Sequence, residues 1–500
     1  MTKEKDLNNV LEIKAAEAIG KMELLVNSDP HRPLYHFAPP AGWMNDPNGL
    51  VFYKGEYHLF YQHWPYGANF GGATYWGHAT SKDLLHWKHL PVALSPDSLY
   101  DRGGCYSGSA VEHNGMLALI YTGNIFEDVW VESNRKVQVQ CLATSTDGIK
   151  FTKAALNPVI SYPPQEGSAD FRDPKVWRGE DCWYMVVGSG YKGYGKALLY
   201  SSDDLYQWTY LGVACESDGS QGCMWECPDL FPLGDKHVLI ASPYGPFEDA
   251  VRKSIYILGT WDESAHSLKQ ESWEDLDHGH DFFAAQTYTD PQGRRILLAW
   301  MDMWDSPMPS SEYGWAGALT LPRLIECSAE GHLIQKPLPE LESLRQKHYS
   351  YPSFEVVSAS SRSWPELHHD AMEIEIVFDL SSCDASQFGI AVRCSKDRME
   401  QTVVRYIVSQ NRLEVDRTRS GQGKTGIKGC QLQAVENGTL KLQLFLDRSS
   451  LEVFANDGRA VFTNRIYPNP TSTEIELYAL EGKVTVLSMA AWELAQELGA

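Results

Sequence analysis

Three acidic side chains stand in crowded, turn-like settings far apart in the chain. Asp46 lies within Trp43-Met44-Asn45-Asp46-Pro47-Asn48-Gly49, Asp173 within Phe171-Arg172-Asp173-Pro174-Lys175, and Glu226 within Met224-Trp225-Glu226-Cys227-Pro228-Asp229. Pro47 fixes its own φ and restricts the residue before it, so the Asp46 carboxylate is held with little freedom between two amides. Asn, Asp, Pro and Gly are also ordinary turn residues, and one such stretch alone reads as a loop. Three of them mean more if the fold brings them together. Two carboxyl groups flanking an acetal can hydrolyse it, one as acid and the other as nucleophile or base. Crowded like charges and apolar walls such as Trp43, Met224 and Trp225 would keep one of them protonated. On spacing alone other readings stay open: calcium binding, an ion pair between Arg172 and Asp173, or a scaffold that binds without turnover.

The elements that must position these groups read as β-structure. From Pro33 the chain breaks into short runs such as Gly49-Leu50-Val51-Phe52-Tyr53, Tyr57-His58-Leu59-Phe60-Tyr61 and Met116-Leu117-Ala118-Leu119-Ile120-Tyr121, punctuated by Gly, Pro, Asn and Asp. A weak repeat runs through this region. Ser81-Lys82-Asp83-Leu84-Leu85-His86-Trp87 returns as Ser145-Thr146-Asp147-Gly148-Ile149-Lys150-Phe151 and as Ser202-Asp203-Asp204-Leu205-Tyr206-Gln207-Trp208. A period on the order of 50 residues or more, with strands throughout, predicts a β-propeller, and the Ser-x-Asp element is then a structural turn in each unit. The units open on Asp46, on Tyr106-Ser107-Gly108-Ser109, on Asp173, on Glu226 with Asp229, and on Asp281-Phe282-Phe283-Ala284-Ala285-Gln286. Five openings predict five blades. With the opening strand of each blade lining the central channel, Asp46, Asp173 and Glu226 converge at one mouth.

Residues 5–27 read as an amphipathic helix packed outside the propeller, with Leu11, Ala15, Ala18 and Met22 near helical spacing. Beyond the propeller, Arg345-Gln346-Lys347-His348-Tyr349 reads as a linker. Runs such as Met372-Glu373-Ile374-Glu375-Ile376-Val377-Phe378, Leu440-Lys441-Leu442-Gln443-Leu444-Phe445-Leu446 and Glu474-Ile475-Glu476-Leu477-Tyr478 then alternate with period two. Each is a strand with one buried face, and in succession they make a sandwich. The expected organisation is all-β, with a helical extension over 1–32, a five-bladed propeller over 33–345 and a β-sandwich over 346–500. The sandwich reads as support for the propeller or as a subunit contact.

A formal charge of −22 argues against nucleic acid or an anionic membrane as partner, since both require basic patches. No apolar run approaches the roughly 20 residues of a membrane-spanning helix. The 10 cysteines show neither a C-x-x-C pair nor zinc spacing, Cys223 and Cys227 included, and read as reduced thiols. Met1 to Asn9 is charged and polar rather than a basic stub leading into an apolar core, so the sequence reads as that of a cytoplasmic protein, and Asn437-Gly438-Thr439 as a turn. The 16 Trp and 25 Tyr suit both β-sheets and surfaces that grip sugar rings.

Taken together, the three acidic stretches resemble the three signatures of glycoside hydrolase family 32, the invertases, fructanases and sucrose-6-phosphate hydrolases. Trp76-Gly77-His78-Ala79-Thr80-Ser81, Tyr106-Ser107-Gly108-Ser109 and Asp447-Arg448-Ser449-Ser450-Leu451-Glu452-Val453-Phe454 match as well, in the family's order, from about His36 to the carboxyl end. The likeness is strongest to intracellular bacterial sucrose hydrolases. The resemblance implies a retaining β-fructofuranosidase acting on sucrose or a related fructoside. Asp46 would be the nucleophile and Glu226 the acid/base, while Asp173 would hold fructose hydroxyls and stabilise an oxocarbenium-like transition state, with the reacting carboxyls roughly 5 Å apart. Asn45, Gln62, Phe70, Tyr106, Ser107 and Arg172 match positions lining the fructose pocket, and neither metal nor cofactor is needed.

The residues also carry expectations of their own. Arg172 suits keeping its chain neighbour Asp173 ionised, whereas Glu226 has no cation beside it in sequence and Trp225 and Cys227 on either side, which suits a carboxyl that holds its proton. Two departures bear on specificity: Phe70 stands where many relatives carry tryptophan, and Phe282-Phe283-Ala284-Ala285-Gln286 replaces a more usual Phe-Tyr-Ala-Pro-Gln. A sialidase reading of the Ser-x-Asp turns lacks an arginine triad and a tyrosine nucleophile. Sucrose 6-phosphate, raffinose or fructo-oligosaccharides as preferred substrate, transfer of fructose to another sugar, and a non-catalytic carbohydrate-binding propeller remain as alternatives.

Overall fold

The computed structural model describes residues 2–126, 136–245, 252–358, 361–435 and 437–495. Five sheets open on the strands Gly42–Tyr53, Cys105–His113, Phe171–Arg178, Met224–Leu233 and Phe283–Thr289, and each continues outward as an antiparallel meander of four strands. The opening strands touch in a closed ring, the fifth returning to the first. This is the five-bladed propeller expected from the repeat. A two-residue strand, Trp315–Ala316, runs parallel to Gly42–Trp43 and stitches a loop of the last blade to the first.

The cores lie between blades, and strand periodicity explains why. On Trp183–Tyr191, Met185 and Val187 face Ile120 and Leu142 of the second blade, while Val186 faces Leu239 and Ile257 of the fourth. Both faces of a blade are therefore apolar, at about 1.5–3 kcal/mol for each large side chain buried. Gly188 and Gly190 let the fourth blade's inner strand approach closely: a Cβ on Gly188 would lie 2.2 Å from the Trp225 carbonyl oxygen, and one on Gly190 2.1 Å from that of Cys223. The Ser-x-Asp elements are turns between third and fourth strands. The Asp83 carboxylate accepts from the Leu85 and His86 N–H groups, and Asp147 and Asp204 repeat the pattern.

The carboxyl-terminal part is a sandwich of a 7-stranded and a 6-stranded sheet. Met372, Ile374, Ile376 and Phe378 alternate into its core opposite Leu440, Leu442, Leu444 and Leu446. One expectation is corrected here. Arg345-Gln346-Lys347-His348-Tyr349 is not a linker but part of the strand Arg345–Tyr351, paired with the last strand of the chain. Its polar pattern is that of a sheet edge: His348 stacks on Trp492 at 4.9 Å, and Arg345 donates two 2.7 Å hydrogen bonds to Glu373. The N-terminal helix spans Thr2–Val26 and lies against the first blade, with Ala15 buried and Leu11, Ala18 and Met22 partly so. No helix of the described residues is long and apolar enough to cross a membrane.

Propeller and sandwich meet through buried charge. The His36 ring bonds Asp447 at 2.8 Å and Glu452 at 3.0 Å, and Arg323 bridges Glu452 at 2.6 Å and Asp277 at 3.0 Å. The Asp447–Phe454 stretch, noted in the sequence without a role, thus pins the sandwich to the segment that leads into the first blade.

Candidate active site

In all five opening strands the ladder slips at one point. Asn45 and Asp46 oppose Gln62, Asp173 and Pro174 oppose Val187, Cys227 and Pro228 oppose Ala241, and Ala284 and Ala285 oppose Ala299; Ser107 is the extra residue in the second blade. Such bulges bend the strand and re-aim side chains. Asp173, Cys227 and Ala284 take the strained left-handed conformation there, at φ 65°, 50° and 56°. Proline after Asp46, Asp173 and Cys227 removes a ladder donor where the pairing is already broken.

The result is one pocket of about 290 Å³ at a mouth of the channel, lined by Asn45, Asp46, Gln62, Phe70, Tyr106, Ser107, Arg172, Asp173 and Glu226. All nine positions singled out in the sequence meet there. Trp43, Thr74, Tyr244, Arg252 and Trp304 line it too. Of these, Trp43 was read only as an apolar wall, and the other four carried no signal, since they belong to outer strands and loops. Phe70 is 48 % exposed at the rim, its ring 5.2 Å from Trp43 and 6.2 Å from Trp304. Phe283 is 2 % exposed and belongs to the core behind Cys227, with Trp300 and Met303, rather than to the pocket wall.

Each carboxylate is fixed from the protein side. Asp46 accepts from Asn45 Nδ2 at 2.8 Å and from Ser107 Oγ at 2.5 Å, and Ser107 in turn accepts from Gln62 Nε2 at 3.1 Å. Asp173 accepts from the Cys227 backbone N–H at 2.9 Å. The Cys227 sulfur lies 3.7 Å from an oxygen of each aspartate, so the two acids are separated by a single thiol. Burial first, and then the charge of Asp173, push the Asp46 carboxyl up to about 7 against the pull of the Ser107 hydrogen bond. Burial likewise raises Asp173 to about 6, opposed by Arg172 and reinforced by Glu226.

Arg172 is placed differently from expectation. Its Nε and Nη2 donate to Glu226 Oε1 at 3.1 and 2.9 Å, its Nη1 to Asp170 at 2.6 Å, and only a 4.0 Å contact reaches Asp173. Consecutive strand residues project to opposite sides, so the chain neighbour is not the spatial partner. Glu226 therefore does have a cation beside it, and that cation comes from the adjacent blade. With Oε1 committed to Arg172, Glu226 Oε2 has no hydrogen-bond partner, nor do Asn45 Oδ1 and Gln62 Oε1. Unpaired buried acceptors around a pocket call for donors, and a polyol supplies them.

The family model for the glycosyl hydrolases family 32 N-terminal domain matches residues 36–337, and that for the family 32 C-terminal domain matches residues 340–493. A sucrose-6-phosphate hydrolase of Escherichia coli is 43% identical, the alignment covering 92% of this chain and 94% of the relative. A raffinose invertase of Escherichia coli is 42% identical over 92% of this chain and 95% of its own length. Among solved structures, a Bombyx mori β-fructofuranosidase superposes with a TM-score of 0.84 at 34% identity, covering 99% of this chain and 100% of that one. Two family models that together span nearly the whole chain settle the matter: the protein belongs to glycoside hydrolase family 32.

Proposed function

We propose that the protein is a retaining β-fructofuranosidase that removes the terminal non-reducing fructosyl unit of sucrose or a close relative. The observation that carries this is the meeting of Asp46, Asp173 and Glu226 around one pocket small enough to hold a single sugar ring at a chain end. Asp46, oriented by Asn45 and Ser107, attacks the anomeric carbon and forms a covalent fructosyl ester. Glu226 delivers a proton from Oε2 to the departing glycosidic oxygen and then takes one from the water that cleaves the ester. Asp173, with Asn45 and Gln62, accepts hydrogen bonds from fructose hydroxyls and meets the positive charge that develops on the ring. Trp43, Phe70 and Trp304 present aromatic faces at the rim on which sugar can stack.

The 10 free cysteines support a reducing compartment, and we place the protein in the cytoplasm, with neither nucleic acid nor membrane as partner. The chain divides into a helical extension over 1–32, a catalytic propeller over 33–345 and a supporting sandwich over 346–500. The test is stereochemical. Proton NMR of the first turnovers on sucrose should show β-fructofuranose before mutarotation, with glucose released in equal amount. First-formed α-fructofuranose, or no hexose from sucrose, raffinose or sucrose 6-phosphate, would refute the reading.

A further inference from the structure

The reading just given concerns the fructosyl half of the substrate; the inference here rests on it and concerns the half that leaves. A second cavity, of about 710 Å³, adjoins the catalytic pocket and shares Tyr244 and Arg252 with it. It runs between the last two blades and the sandwich. Tyr244 marks its inner end: the Tyr244 hydroxyl accepts from Arg172 Nη2 at 3.0 Å, and the same nitrogen holds Glu226 at 2.9 Å. The leaving oxygen takes its proton from Glu226, so the departing sugar sits on this side of the pocket, facing the second cavity.

The walls of that cavity run against the charge of the chain as a whole, which is −22. Arg252, Lys253, Arg417, Lys424 and Lys428 line it, with Asp275, Asp277 and Asp305 as its acids. Three of the cations have partners: Lys253 pairs with Asp275 at 2.7 Å, Lys424 with Asp305 at 2.5 Å, and Arg417 with Asp281. Asp277 is taken by Arg323. Among the described residues, Arg252 and Lys428 have no carboxylate partner, so two cations on one cleft are left over. Arg252 is held by aromatic faces instead, its guanidinium 5.5 Å from the Tyr244 ring centre and 5.4 Å from that of Trp304. Stacking of this kind leaves the planar edge of the guanidinium open to a ligand.

We propose that this cleft receives an anionic leaving group, and that Arg252, supported by Lys428, recognises the phosphoryl group of a phosphorylated hexose joined to the fructosyl unit. A phosphate monoester carries close to two negative charges near neutral pH and presents three acceptor oxygens, which match an arginine fork and a nearby ammonium. A neutral sugar would gain nothing from the uncompensated charge. The bond that breaks and the proton that moves are those of the reaction above; the phosphoryl group is recognised and stays intact.

The test compares kcat/KM for sucrose 6-phosphate, phosphorylated on the glucosyl unit, with that for sucrose, using the full chain. The wild type should prefer the phosphorylated substrate by about tenfold or more, the value of one charge-assisted contact. In Arg252→Gln that ratio should fall by about tenfold, mainly through KM for the phosphorylated substrate. In Lys428→Gln it should fall severalfold while kcat/KM for sucrose stays as in the wild type. Glucose 6-phosphate should also inhibit sucrose hydrolysis by the unmodified protein at about one tenth the concentration at which glucose does. A wild-type ratio near one, equal inhibition by the two hexoses, or a ratio unchanged in both variants overturns the inference while leaving the fructosidase reading standing. Failure to hydrolyse either substrate overturns the reading on which it rests.

Discussion

Two clusters of carboxylates lie deep in this molecule and behave in opposite ways. At the seam between propeller and sandwich, Asp447 and Glu452 are both 0 % exposed, yet their carboxyls are held below the ordinary range. Burial alone would raise them, but His36 outweighs it for Asp447, and Arg323 with His36 for Glu452. The partnership is mutual: burial pulls the His36 imidazolium down, and its two carboxylate hydrogen bonds more than restore it, to about 9. In the pocket, Asp173 is 3 % exposed and Asp46 is little more open, but Arg172 spends its short contacts on Glu226 and Asp170. Asp46 and Asp173 are therefore raised. The same residue type at similar depth stabilises the fold in one place and strains it in the other. What differs is the count of cations within reach.

That contrast breaks most visibly in catalysis. Asp46→Asn and Glu226→Gln should each lower kcat on sucrose by about three orders of magnitude or more, since each removes a group that makes or breaks a bond. Circular dichroism and the thermal midpoint should show both variants folded. Turnover within tenfold of wild type in either would remove that residue from the mechanism. At the seam the cost should fall on stability instead. Glu452→Gln leaves Arg323 and His36 without their shared carboxylate and should destabilise the protein by about 3–5 kcal/mol in a denaturant titration, because breaking a buried pair strands the charge that remains. A loss below about 1 kcal/mol would mean that the seam is not the pin described here.

How much of this could be read from the sequence follows the same division. The motifs around Asp46, Asp173 and Glu226 are contiguous, and each blade opens on one, so the five-bladed ring and the nine pocket positions were legible. The bulges that aim them left a trace in the prolines after Asp46, Asp173 and Cys227. What one dimension hides is which side chains meet across blades. Arg172 precedes Asp173 in the chain but contacts Glu226, 54 positions on. The seam was equally hidden, because Asp447 and His36 are 411 positions apart and nothing local announces their hydrogen bond. Arg345–Tyr351 misled for the opposite reason: an edge strand with charged, solvent-facing residues has the composition of a linker, and only its partner strand shows what it is.

Removing a strained charge should do what removing a paired one does not. Asp46 ionises near 3.8 in the unfolded chain and near 7 in the folded protein. Its ionised form therefore opposes folding, by an amount that is absent below about pH 4, grows as pH rises, and is complete above about pH 7. Asp46→Asn should accordingly be more stable than wild type by about 1–3 kcal/mol at pH 8. The difference should shrink towards zero, or reverse as the amide fits the Ser107 donor less well, by about pH 4. Unfolding midpoints at the two pH values decide it, and a variant that is less stable at pH 8 would place the strain elsewhere.

The smallest expected effect is the sharpest test of why Asp46 is not raised further. Ser107 Oγ donates to its carboxylate at 2.5 Å, which favours the charged form and counters burial and Asp173. As the nucleophile, Asp46 must be ionised, so kcat/KM should rise with pH through an acid limb near 7 that belongs to the coupled aspartates. Ser107→Ala deletes the donor and leaves the neighbouring charge in place. The acid limb should move up by about half a pH unit to one unit, whatever the loss in rate from altered sugar contacts. A merely structural serine would lower activity evenly across the profile. The position of the limb separates the two, and an unmoved limb would show that Asn45 and the Cys227 thiol suffice to hold the charge.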